Sequence, residues 1–153
     1  MTKTWIHRAL ASSAGWQTLA LRLPLGVIFI AHGGQKLFGW FGGYGLEGTG
    51  QWMASIGLTP GVLMALLAGS AEFFGGLALI LGVVLRPAAA VLAVTMLVAI
   101  ITVHLENGLF MANNGYEFGL ALLAGTVALV ISGAGRASVD RWLAFAGLLS
   151  TVR

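Results

Sequence analysis

Residues 60–85 read PGVLMALLAGSAEFFGGLALILGVVL, and the only charge among them is Glu72. A helix crosses a bilayer with roughly 20 predominantly apolar residues, which this stretch supplies. A carboxylate near the middle of such a helix costs about 2.5–3.5 kcal/mol on insertion scales. A charge so placed requires a partner or a task.

The composition makes the same point for the whole chain. Its 153 residues are 58% hydrophobic and 8% charged, with a mean hydropathy of +0.93. Soluble domains are about 25% charged, so much of this surface must face lipid. The length suits one domain over residues 1–153. The net charge is +3 and the pI about 10.0, but the basic residues form no stripe, which argues against nucleic acid as a partner. There is no cysteine, which removes thiol–disulfide chemistry, iron–sulfur ligation and zinc thiolate sites together. No metal site and no covalent cofactor are expected. A redox role would need a borrowed cofactor or a quinone.

Apolar runs at about 19–38, 60–85, 87–105 and 115–132 predict an all-α membrane protein, a bundle of four transmembrane helices. Trp5 to Trp16 reads as an amphipathic segment on the membrane surface, and residues 133–153 as an amphipathic cytoplasmic tail. In that tail Arg136 and Asp140, four apart, read as a surface pair. Spans one and two are joined by a glycine- and aromatic-rich outer loop, GWFGGYG at 39–45, and a short helix from Thr49 to Ser55, together a cap or lid. All five tryptophans fall outside the four runs, as an interfacial belt requires. With both termini cytoplasmic, Lys3, Arg8, Arg22, Arg86, Arg136, Arg141 and Arg153 lie inside and only Lys36 outside. Small residues four apart, such as Ala65 with Gly69 and Ala71 with Gly75, permit close helix packing.

Placed by depth at about 1.5 Å per residue, the titratable groups collect in the outer half. His32 and Lys36 lie one turn apart on span one, Glu72 at mid-depth on span two, His104 at the outer end of span three, and Glu117 at the outer start of span four. A funnel follows, with Glu117, His104 and Lys36 at the mouth, His32 on the wall and Glu72 at the floor, paired with His32 or Lys36. Duller readings stand beside this one. Glu72 could bridge helices, His104 could satisfy carbonyls at a helix C-terminus, and Asn114-x-x-Glu117 matches a capping box. Arg22 reads as a positive-inside anchor and Arg86 as a loop anchor.

At these residues the chain resembles the DoxX family of small bacterial inner-membrane proteins. The matching stretches are Arg22-x-x-x-Gly26 followed by His32-Gly33-x-x-Lys36-Leu37-Phe38-Gly39; Ala71-Glu72-x-x-Gly75-Gly76-Leu77-x-Leu79-x-Leu81-Gly82; Arg86 with Met96, Leu97, Ala99 and His104; Gly108-x-Phe110; Glu117; and Gly133-x-Gly135-Arg136-x-Ser138-x-Asp140. They run in order from about Leu21 to Asp140. The resemblance implies a multi-pass, four-helix protein of the bacterial inner membrane. The family name comes from a membrane subunit of a thiosulfate:quinone oxidoreductase, and some relatives are linked to oxidative-stress or catechol-detoxification systems.

Three functions are compatible with the pattern. The first is a redox-associated subunit that binds a quinone among His32, Lys36, Glu72 and His104 and relies on a soluble or membrane partner for electrons. A haem held by His32 and His104 is disfavoured, because their depths differ by about 5–8 Å. The second is a small-molecule carrier or receptor with Glu72 as its proton-coupling group, acting as a homo-oligomer. The third is a membrane scaffold for a partner protein, without chemistry of its own.

Overall fold

The structure, a computed structural model, describes residues 14–145. The surface segment expected at residues 5–16 and the end of the tail fall almost wholly outside the described residues, as do Lys3, Arg8 and Arg153.

Among the described residues every regular element is helical. α1 spans Gln17–Phe38, α2 Gly45–Ser55, α3 Gly61–Leu81, α4 Leu85–Ala99, α5 Glu117–Ser132 and α6 Val139–Phe145. α3 and the run from Leu85 to Asn107 are long and apolar enough to cross a membrane, and α5 is a shorter apolar helix. α1 is as long as α3 but carries Arg22, His32 and Lys36.

Backbone chemistry sets the helix ends. Gly39 and Gly82 adopt left-handed φ values of 72° and 66° and close α1 and α3. α3 therefore stops at Leu81, short of the expected Leu85, and α4 begins at Leu85 rather than at Pro87. Between them Val84 takes φ 42°, where a β-branched residue is rarely found. The loop after α1 is also shorter than expected, since α2 starts at Gly45 rather than Thr49. α5 starts at Glu117 rather than 115, and no side chain caps it, so the capping box expected at Asn114–Glu117 does not form. Arg86 lies in the first turn of α4 rather than in a loop.

α1 and α3 run antiparallel and touch backbone to backbone. A Cβ added at Gly33 would lie 2.5 Å from Phe73 N and 2.7 Å from Gly69 O, and one added at Gly26 would lie 2.8 Å from Gly76 O. Each helix thus contributes two glycines seven residues apart, which share one face because seven residues make about two turns. Of the small residues expected to pack the helices, Gly69 serves this crossing, and Gly75 faces Leu92 of α4 instead. Leu25, Phe29, Leu79, Leu92, Met96, Leu122 and Leu129 fill the core that α1 and α3 share with α4 and α5. Val27, Leu67, Phe74, Val94 and Ile131, on the outer faces, are each more than half exposed. So broad an apolar belt is rare on a soluble monomer and suits lipid as the surrounding solvent.

Candidate functional site

Of the polar groups on α1, His32 and Lys36 stand one turn apart near its C-terminal end, opposite the midpoint of α3. The backbone contact at Gly33 brings α3 close enough for Lys36 Nζ to donate to Glu72 Oε2 at 2.7 Å. Glu72 is buried, with 4% of its side chain exposed, whereas Lys36 keeps 23%. A bare carboxylate at this depth would be costly, and the ammonium and its hydrogen bond offset that cost.

The opposite wall comes from the end of α4. From Ile100 to His104 the helix widens into a π-turn, a local loosening often found at functional sites. It delivers His104 to a turn at Asn113-Asn114-Gly115. There His104 Nδ1 lies 2.9 Å from the main-chain oxygen of Asn114, which also accepts from Asn107 Nδ2 at 3.3 Å. Because a carbonyl oxygen only accepts, Nδ1 carries the proton, and in neutral His104 Nε2 holds the lone pair. Asn114 sits at φ 61°, a left-handed position that asparagine tolerates better than most residues.

His32, Lys36, Glu72 and His104 all line one cavity of about 480 Å³. That volume lies within the range of small-molecule sites. Phe29, Met96, Phe118 and Leu122 supply apolar walls, and the His32 ring faces that of Phe118 with centroids 6.0 Å apart. Among the described residues nothing hydrogen-bonds to the His32 ring. Glu117 does not line the cavity. Its Oε1 accepts from Met111 N at 2.5 Å and its N–H donates to Leu109 O at 2.9 Å, so it folds the 109–116 segment over the cavity end. The carboxylate expected at the funnel's mouth is a brace. Within the described residues no three histidine, aspartate or glutamate side chains gather as a metal site would need.

At the far end the remaining charges are bonded to backbone. Arg22 is 1% exposed, and its guanidinium donates to Leu79 O, Ile80 O, Ala134 O and Ala137 O at 2.6–2.7 Å. It is a buried clasp on the C-terminal carbonyls of α3 and on the segment after α5, not an anchor at the lipid surface. Asp140, also 1% exposed, accepts from Val84 N and Leu85 N at 2.7 and 3.0 Å. Those bonds satisfy the first donors of α4 and hold Val84 in its left-handed conformation. The surface pair expected between Arg136 and Asp140 is therefore absent. Asp140 is buried under α4, while Arg136 is exposed and its N–H reaches Gly15 O. Ser138 precedes α6 and caps it, with its Oγ accepting from Arg141 N at 3.2 Å.

Asn114, Phe118 and Met111 are among the cavity residues that were not read from the sequence as site residues. The Asn-Asn-Gly triplet was the available signal for the first, since it marks a turn with left-handed backbone.

An apolar rim, an all-helical frame and a buried charged pair define a membrane-associated helical protein with a largely apolar cavity that carries a few polar groups. The sequence profile of the DoxX family matches residues 17–105, which hold α1, α3, α4 and the Lys36–Glu72 pair, and the chain belongs to that family. It is similar to a protein of Bacillus subtilis (strain 168) named "Putative oxidoreductase CatD", at 36% identity over 123 residues, covering 80% of this chain and 84% of that one. No solved structure matches the chain.

Proposed function

We propose that this chain is an inner-membrane redox-associated subunit that crosses the bilayer four times and binds a quinone in the cavity lined by His32, Lys36, Glu72 and His104. The observation that carries the reading is the Lys36–Glu72 pair set into the wall of an otherwise apolar cavity, with two histidines beside it. A quinone head is flat and apolar and carries two polar oxygens, which is the balance these walls offer. Its reduction or oxidation moves protons as well as electrons, and the four side chains can hold or pass protons at the ring oxygens. Electrons come from a partner protein, since the chain has no cysteine or other side chain suited to reversible two-electron chemistry. The name of the Bacillus subtilis relative agrees with a redox setting.

The charge distribution supports an orientation. Arg22, Arg86, Arg136 and Arg141 gather at the clasp end and Lys36 stands at the other, so the cavity opens toward the outer face and the clasp end faces the cytoplasm. A carrier would need a route past Arg22, and the carbonyls bonded to its guanidinium close that route. This favours a one-sided site over a transport path.

The test is gentle purification of wild type and Glu72→Gln, with solvent extraction and mass spectrometry of what co-purifies. Wild type should retain quinone, and Glu72→Gln should lose it while staying monodisperse. Absence of quinone from both, together with no uptake of added quinone, would reject the reading in favour of a scaffold or a different ligand.

A further inference from the structure

Resting on the quinone reading, we infer that the cavity selects the reduced, hydroxyl-bearing form of the ring over the dicarbonyl form. The inference comes from the hydrogen-bond polarity of the walls. His104 donates its Nδ1 proton to Asn114 O, and this leaves neutral His104 with an acceptor, Nε2, as its second nitrogen. Asn107 Nδ2 donates to the same carbonyl oxygen, a second bond that helps hold that oxygen in place. Glu72 adds a carboxylate with only one of its oxygens bonded to Lys36, so acceptor capacity stands there too. Lys36 supplies the donors, with two of its three N–H groups not used by Glu72. His32 and the side-chain amide of Asn114 can serve in either sense and do not discriminate.

A dicarbonyl ring has only acceptors. It can satisfy Lys36, but it has nothing to donate to the acceptors that Glu72 and His104 contribute to the cavity lining. A dihydroxy ring donates and accepts at each oxygen, so one hydroxyl can bond to Lys36 or Glu72 and the other can donate to His104 Nε2. A site that pairs with a hydroxyl discriminates strongly against an analogue lacking it, because its own polar groups are left unpaired. No electron transfer is needed for the preference, which is a property of equilibrium binding. His104 is here a ligand-binding residue, and the carbonyl of Asn114 is its positioning group.

The experiment is anaerobic equilibrium dialysis of the full chain in nanodiscs of synthetic phosphatidylcholine, with empty nanodiscs as the partition blank. The probes are a short-chain benzoquinone and the hydroquinone made from it by reduction. The hydroquinone should bind about tenfold tighter or more. In His104→Leu the ratio should fall toward one through loss of hydroquinone affinity alone. His104→Gln, which restores a side-chain acceptor, should recover part of it. Equal or tighter binding of the benzoquinone to wild type would overturn the inference and leave the quinone reading standing. A preference undiminished in a folded His104→Leu protein would overturn the assignment to His104. Binding of neither probe would overturn both.

Discussion

The two ends of this molecule both bury charge, and they use it in opposite ways. At the clasp end Arg22 commits four of its five N–H donors to backbone carbonyls, and Asp140 commits both carboxylate oxygens to backbone amides. Little bonding capacity remains for anything else. At the cavity end Lys36 and Glu72 share a single hydrogen bond beside an open volume, with two histidines whose ring nitrogens are only partly engaged. Buried charge alone does not mark a functional site in a membrane protein. The two ends differ in how much hydrogen-bonding capacity the fold leaves open.

The comparison can be tested most severely at Arg22. Arg22→Met strips the partner from four carbonyls, two buried and two partly buried, and should cost at least about 4 kcal/mol, enough that little folded protein is recovered. Thermal unfolding in detergent, followed by size-exclusion chromatography, reads this out. Arg22→Lys should restore little, since one ammonium cannot reproduce a planar fork spanning two segments. A well-folded Arg22→Met protein would remove the clasp from the account.

Asp140→Ala comes next. It uncaps α4 and releases Val84 from its strained backbone, at about 2–3 kcal/mol by the same unfolding assay. Asp140→Asn, which keeps one acceptor, should recover about half of that. The smallest effect on stability belongs to the double variant Lys36→Met/Glu72→Leu. Replacing both members of a buried pair with apolar groups of similar size should change stability by about 1 kcal/mol or less, while ligand retention is abolished. A loss as large as that of Asp140→Ala would show the cavity pair to be structural and would erase the contrast between the ends.

Much of the cavity end was legible because its signals are local in the chain. Glu72 is conspicuous as a charge in an apolar run, and His32 with Lys36 is a one-turn pair. The clasp end was not legible. The partners of Arg22 and Asp140 are backbone groups far along the chain, and a main-chain carbonyl has no letter in a sequence. Both residues therefore took the ordinary surface roles that their positions suggest. Glu117 misled for a related reason, since its spacing from Asn114 imitates a capping box while its carboxylate turns to Met111 N. The seven-residue glycine pairs were present in the sequence, but choosing them over four-residue pairs requires knowing that α1 and α3 cross antiparallel with Gly26 at Gly76 and Gly33 at Gly69.

The π-turn at the end of α4 acts as a phase shift. Met96 and Ala99 already face the cavity, and an uninterrupted helix would next present position 103 on that face. One extra residue in the turn advances the register by about 100°, and His104 takes the place that Val103 would have held. Without the slip the cavity would keep its shape with an aliphatic wall there, and would lose the imidazole. Deleting a single residue between Ile100 and Val103 would thus take the imidazole out of the cavity wall without altering His104 itself.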